Sequence, residues 1–227
     1  RGLGDVYKRQ NKEYIEIQKY AFRKYKIKTV ENKHTHLVPE ELEQLERLSL
    51  TGKYMKLQKS LDAFLFCCYA GMRYSDFTNL SKKNIVDINQ ETWLIYKSVK
   101  TGTEVRLPLY LLFAGKGIVI LNKYRNNLEV FFRLRDNSNI NKDLIIIAKL
   151  AGLSKKISFH TARHTNATLL IYNGVNITTV QKLLGHKSVK TTQVYTNIMD
   201  MTIVHDLEKM KQATLGIKKK TDNSFNK

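Results

Sequence analysis

Two strings decide the reading of this chain: residues 159–170, FHTARHTNATLL, and residues 183–198, LLGHKSVKTTQVYTNI. The first sets His160 and Arg163 at i and i+3 where a helical pattern begins, so the two share a face. The second places His186 directly after Gly185 and Tyr195 nine residues further on. Working outward, residues 71–80, GMRYSDFTNL, supply Arg73, and Lys100 opens KTGTEVRLPL at residues 100–109. The six residues Arg73, Lys100, His160, Arg163, His186 and Tyr195 offer two guanidiniums, one ammonium, two imidazoles and one phenol. They include no carboxylate cluster and no metal-ligand spacing. Such a set suits an anionic substrate attacked by a phenolate. A phosphodiester repels nucleophiles, because its oxygens take on more charge in the transition state. Arg73 and Arg163 are suited to grip those oxygens as bidentate forks that keep their protons near neutral pH. An unperturbed phenol titrates near pH ~10, so Tyr195 needs neighbouring cations or a base to favour its phenolate.

The bulk composition points to the same class of substrate. The chain has 227 residues, 42% of them hydrophobic and 10% aromatic, enough for a substantial folded domain. Its 39 basic and 20 acidic residues give a net charge of +19, which calls for a polyanionic partner, nucleic acid first among them. No apolar run approaches the roughly 20 residues of a membrane helix. The N-terminus has no apolar signal core. Cys67 and Cys68 are adjacent within LDAFLFCCYAG and read as buried, reduced core thiols.

The pattern along the chain is mainly helical. Residues 1–10, RGLGDVYKRQ, resemble an adapter-derived, non-native scar, and the fold is read without them. Residues 11–36 read as a basic linker with a remnant of a preceding domain. Pro39 opens a helix in PEELEQLERL, with acids near the positive end of its dipole. LQKSLDAFLFCCYAG is a strongly apolar helix closed by Gly71, leaving Arg73 at a helix junction. TWLIYKSV and TEVRLPL are strand-like runs around a turn at Lys100, Thr101 and Gly102. Helical patterns return at residues 117–129, 139–151 and 161–173, then in VNITTVQKLLGHKS, ending at Gly185. Ser188 is placed to cap a helix holding Tyr195. Residues 200–215 form a last amphipathic pattern, and residues 216–227 a basic, disordered tail. The fold class is mainly α with a small antiparallel β-sheet (α+β).

GMRYSDFTNL, FHTARHTNATLL and LLGHKSVKTTQVYTNI resemble the tyrosine recombinases, or phage-type integrases, and the likeness spans residues 37–215 as one catalytic domain. That resemblance implies site-specific DNA cleavage and rejoining through a 3′-phosphotyrosine, with no cofactor, metal or ATP. It casts Tyr195 as nucleophile, Arg73 and Arg163 as the phosphate clamp, and Lys100 as general acid for the leaving 5′-oxygen. His160 transfers a proton or contacts the phosphate, and His186 binds the phosphate or orients the nucleophile. Asp76 matches an acidic position that orients the site, a surface carboxylate being the plainer alternative. His164 reads as a packing residue facing elsewhere. Met72, Leu80, Leu169, Leu183 and Leu184 read as core. The implied partners are double-stranded DNA, a homotetramer on paired DNA sites and DNA-bending accessory proteins. The implied setting is the bacterial cytoplasm and nucleoid, and the composition resembles integrases of Bacteroidetes-type mobile elements. Two other readings stay open: relaxation of DNA in the manner of a type IB topoisomerase, and a non-catalytic DNA-binding module or decayed integrase.

Overall fold

The structure, a computed structural model, describes residues 35–196. The readings of residues 1–10, of nearly all of 11–36, of the helix at 200–215 and of the tail at 216–227 lie outside them. In chain order α1 is Pro39–Glu46, α2 Gln58–Ala70 and α3 Tyr74–Thr78. Strands β1 Ile85–Ile88, β2 Glu91–Lys97 and β3 Glu104–Pro108 follow. Then come α4 Lys116–Lys123, α5 Leu128–Phe132, α6 Asn137–Leu150, α7 Phe159–Tyr172, α8 Ile177–Leu184 and α9 Lys190–Gln193. The class is the expected one, mainly helical with one small antiparallel sheet.

A helix that is apolar on every side belongs in a core. Every residue of α2 from Ser60 to Ala70 is buried, and α2 packs against α7, which is buried throughout from Thr161 to Ile171. Cys67 and Cys68 lie inside this pair as free thiols, and burial pushes both well above the usual thiol range. Phe77 of α3 contacts Phe66, Phe131, Phe132 and Phe159, with Phe131 edge-on at 5.3 Å between centroids. Edge-to-face pairs contribute about 0.5–1.5 kcal/mol each beyond simple burial. This cluster locks the short helix that begins beside Arg73 onto α2, α5 and α7.

The sheet has the order β1-β2-β3, with Leu94 opposite Ile85 on one side and Leu107 on the other. Alternation sends Leu94, Tyr96, Val105 and Leu107 into the core. Strand β1 was not expected. It is four residues long, and Asn89 and Gln90 make its turn into β2 with φ of 53° and 66°, without a glycine to mark it.

Three helical expectations are corrected in detail. The pattern at 117–129 is two helices: α4 ends at Lys123, and Asn127 caps α5 by accepting the Val130 N–H at 3.2 Å. The pattern at 139–151 begins two residues earlier, where Asp136 accepts the Asn139 N–H at 3.1 Å. Ser188 does accept the Lys190 N–H at 3.3 Å, but α9 ends at Gln193, and Tyr195 sits in the turn beyond it. No helix among the described residues is long and apolar enough to cross a membrane.

Candidate active site

Arg163 is the most buried large polar side chain of the core, only 1% exposed. Its Nη1 donates to the carbonyl of Gly71 at 2.7 Å and its Nη2 to that of Leu184 at 2.6 Å. Those carbonyls stand at the C-terminal ends of α2 and α8, where helix dipoles are negative. Two helix ends thus substitute for the water that the guanidinium has lost. Burial, then the charge of Arg73, lowers the Arg163 pKa to about 10, which still leaves it cationic at neutral pH. The approach of α2 to α7 and α8 depends on Gly71. Its φ is +67°, and a Cβ there would lie 2.6 Å from Asn166 Oδ1 and 2.8 Å from Leu184 Cδ2.

Arg73 occupies the extended residue just before α3. Its Nη1 donates to Ser98 Oγ at 3.2 Å and lies 3.5 Å from Asp76 Oδ2. Asp76 is 1% exposed, so it is not a surface carboxylate. It accepts hydrogen bonds from Ser98 Oγ at 3.3 Å and from the Val99 N–H at 2.8 Å. One carboxylate therefore ties Arg73 to the two residues that lead into Lys100. On the far side of the turn, Thr101 Oγ1 donates to the Gly185 carbonyl at 3.1 Å. The turn is pinned at both shoulders, and Lys100 between them is exposed. Lys116, another lysine in this region of sequence, is instead paired with Glu46 at 2.7 Å.

Gly185 ends α8 with φ +62°, and a Cβ would meet Val105 Cγ2 at 2.6 Å. This close seat on β3 delivers the next residue, His186, into the site. His186 is 7% exposed, and its Nδ1 lies 2.9 Å from Thr192 Oγ1. Its pKa is pushed down to about 3, first by burial and then by the charges of Arg163, Arg73, His160 and Lys100. His186 is consequently a neutral imidazole near neutral pH. Tyr195 is 4% exposed. Burial raises its phenol above the usual range, while Arg163 and Arg73 pull in the opposite direction.

The structure brings the segments that carry Arg73, Lys100, His160, Arg163, His186 and Tyr195 together through the Arg73–Ser98–Asp76 contacts, the Thr101–Gly185 hydrogen bond, the Arg163 bonds to Gly71 and Leu184, and the His160–His164–Tyr195 contacts. It draws them from the α2–α3 junction, the β2–β3 turn, α7 and the segment around α9. The reading of His164 is corrected. It does not face away: its Nδ1 lies 2.9 Å from the Tyr195 hydroxyl, and its ring meets that of exposed His160 edge-on at 4.5 Å. The signal was in the sequence, because positions 160 and 164 are i and i+4 and must share a face. Ser98, Thr101 and Thr192 were also passed over. Their hydroxyls matter through long-range contacts that no local pattern displays. Among the described residues no group of three or more His, Cys, Asp or Glu side chains could hold a metal ion.

Comparison with known proteins gives a consistent result. The model of the phage integrase family matches residues 36–201. A tyrosine recombinase of Thermosipho africanus is 32% identical over 174 residues, which is 72% of this chain and 59% of that protein. Tyrosine recombinase XerC of Rickettsia prowazekii is 28% identical over 80% of this chain and 60% of its own length. The chain thus spans about three fifths of these relatives. A lambda integrase tetramer solved on a Holliday junction shares the fold, with a TM-score of 0.66 at 19% identity over 85% of this chain and 56% of that one. The chain belongs to the phage integrase family, the tyrosine recombinases.

Proposed function

We propose that residues 37–215 form the catalytic domain of a site-specific DNA recombinase that cuts and rejoins strands through Tyr195. What supports the reading is the geometry: Arg163 is held by the Gly71 and Leu184 carbonyls, Asp76 and Ser98 tie Arg73 to the Lys100 turn, Thr101 joins that turn to Gly185 beside His186, and Tyr195 lies against the helix that carries His160 and Arg163. Arg73 and Arg163 hold the non-bridging oxygens of the scissile phosphate, Arg163 with the N–H donors not committed to carbonyls. Asp76 and Ser98 keep Arg73 and the Lys100 turn in register. Tyr195 attacks phosphorus, Lys100 protonates the leaving 5′-oxygen, and His160 and His186 contact the phosphate. A 3′-phosphotyrosine and a free 5′-hydroxyl result. The phosphoester is conserved in the covalent link, so a second 5′-hydroxyl reverses the step without ATP. By analogy with the lambda integrase tetramer on a Holliday junction, the working assembly is a homotetramer on paired sites. Its setting is the bacterial cytoplasm, in the service of a mobile element, with DNA-bending proteins assisting.

The test is covalent trapping on a nicked Holliday-junction substrate in EDTA. Wild type is expected to form a protein–DNA adduct, and Tyr195→Phe to form none while still retarding DNA on a gel. An adduct retained by Tyr195→Phe would assign the nucleophile elsewhere. Retardation without an adduct in wild type would favour a non-catalytic DNA-binding module.

A further inference from the structure

Among the described residues, one buried imidazole lies outside the six candidates. His164 is 7% exposed and lies on the same face of α7 as His160, with the two rings edge to face at 4.5 Å. Its Nδ1 approaches the Tyr195 hydroxyl to 2.9 Å. A phenol has a single proton to donate, so with the imidazole proton on Nε2 this contact is a hydrogen bond from Tyr195 into a basic lone pair. The buried imidazole of His186 is turned elsewhere, its Nδ1 at 2.9 Å from Thr192 Oγ1.

We infer that His164 belongs to the cleavage machinery, its Nδ1 positioning the Tyr195 hydroxyl and taking the phenolic proton as Tyr195 attacks. The assignment rests on the recombinase reading above. The step balances. The bond from Tyr195 Oη to phosphorus forms and the bond from phosphorus to the 5′-oxygen breaks. The phenolic proton passes to His164, which becomes an imidazolium, and the leaving oxygen takes a proton from Lys100. In rejoining, both transfers run backwards. The same contact explains how a phenol 4% exposed, whose pKa is raised by burial, is made nucleophilic. Arg73 and Arg163 favour the phenolate by charge, and His164 gives its proton a place to go. His160, exposed beside it, contacts the phosphate in the proposed step.

The experiment is single-turnover cleavage of the nicked substrate by the 227-residue chain and its variants. His164→Phe keeps the ring volume without the nitrogen and is expected to slow cleavage about 100-fold, the scale of a lost general base. DNA retardation should be unchanged. His164→Asn retains an acceptor near the Nδ1 position but no basicity, and should lie between the two. Placing 3,5-difluorotyrosine at position 195 acidifies the phenol. It should raise cleavage tenfold or more in the His164→Phe background and by a clearly smaller factor where His164 is present, a difference that a packing defect would not show. His164→Phe within about threefold of wild type, or no rescue by the acidified phenol, would overturn the assignment. Should His164→Phe fail to fold, His164→Asn with and without the fluorinated residue gives the same decision. An inert wild type would remove the recombinase reading and this assignment together, whereas an active wild type indifferent to position 164 would remove this assignment alone.

Discussion

His186 shows how one side chain records the field of the whole site. Its pKa of about 3 in the folded chain lies well below the ordinary value near 6.5. The unfolded chain therefore binds a proton here that the folded chain refuses between those two limits. The stability that this difference confers is fully present above about pH 6.5 and is lost progressively as pH falls toward 3. The loss cannot exceed about 1.4 kcal/mol per pH unit from one group. Between roughly pH 6.5 and 5.0, urea denaturation of the wild type should show a drop that His186→Asn largely lacks, by about 2 kcal/mol at most. The other histidines titrate in both proteins, so the difference isolates position 186. Equal acid sensitivity in the two proteins would mean that His186 is not held neutral by its surroundings. The six candidate residues could be named from sequence because each lies in a short string that resembles the tyrosine recombinases, and the fold sets those strings around one another. His164 was legible only in part, because it lies on a helix buried on nearly every side, where no polar stripe indicates which way a residue points.

Among the elements, the β2–β3 turn and the end of α8 act as one piece, joined by the Thr101–Gly185 hydrogen bond and by the seat of Gly185 on Val105. That contact makes Gly185 a sharper constraint than its left-handed backbone alone. Gly152 offers the control: its φ is +76°, yet a Cβ there would meet nothing within 4 Å. Gly152→Ala should cost about 1–2 kcal/mol, the strain of an L residue in that conformation. Gly185→Ala adds an overlap with Val105 and should cost about 1–3 kcal/mol more. It should also reduce adduct formation, because whatever moves residue 185 moves His186 and the carbonyl that holds the Lys100 turn. Thermal melts paired with trapping would separate the effects, and equal costs at the two glycines would refute the close seat. The hairpin was readable from its β-rich runs and Lys-Thr-Gly turn. Strand β1 was not, since four residues closed by Asn89 and Gln90 carry neither a long alternation nor a glycine signal. Its place is fixed by pairing with β2, a tertiary fact.

At the scale of the whole molecule, the question is whether a net charge of +19 is gathered into a DNA-binding face or is simply spread over the chain. Composition cannot answer this, since the same lysines scattered evenly would give the same isoelectric point. Counterion release can. Each phosphate neutralised by a lysine or arginine frees condensed cations, so the logarithm of the binding constant falls linearly with the logarithm of salt, by about 0.9 per phosphate on duplex DNA. A face that tracks the backbone around one scissile phosphate should engage on the order of five phosphates, giving a slope near −4 to −5. Charge spread evenly over the surface would engage fewer phosphates at once and give a shallower slope. Anisotropy titrations of a labelled duplex at four salt concentrations would measure it. Arg73→Ala, which removes one arm of the proposed clamp, should flatten the slope by about one unit. Tyr195→Phe should leave the slope alone, because a phenol displaces no counterion. If Arg73→Ala instead lowers affinity equally at every salt concentration, Arg73 serves the fold through Asp76 and Ser98, and the phosphate is held by other groups.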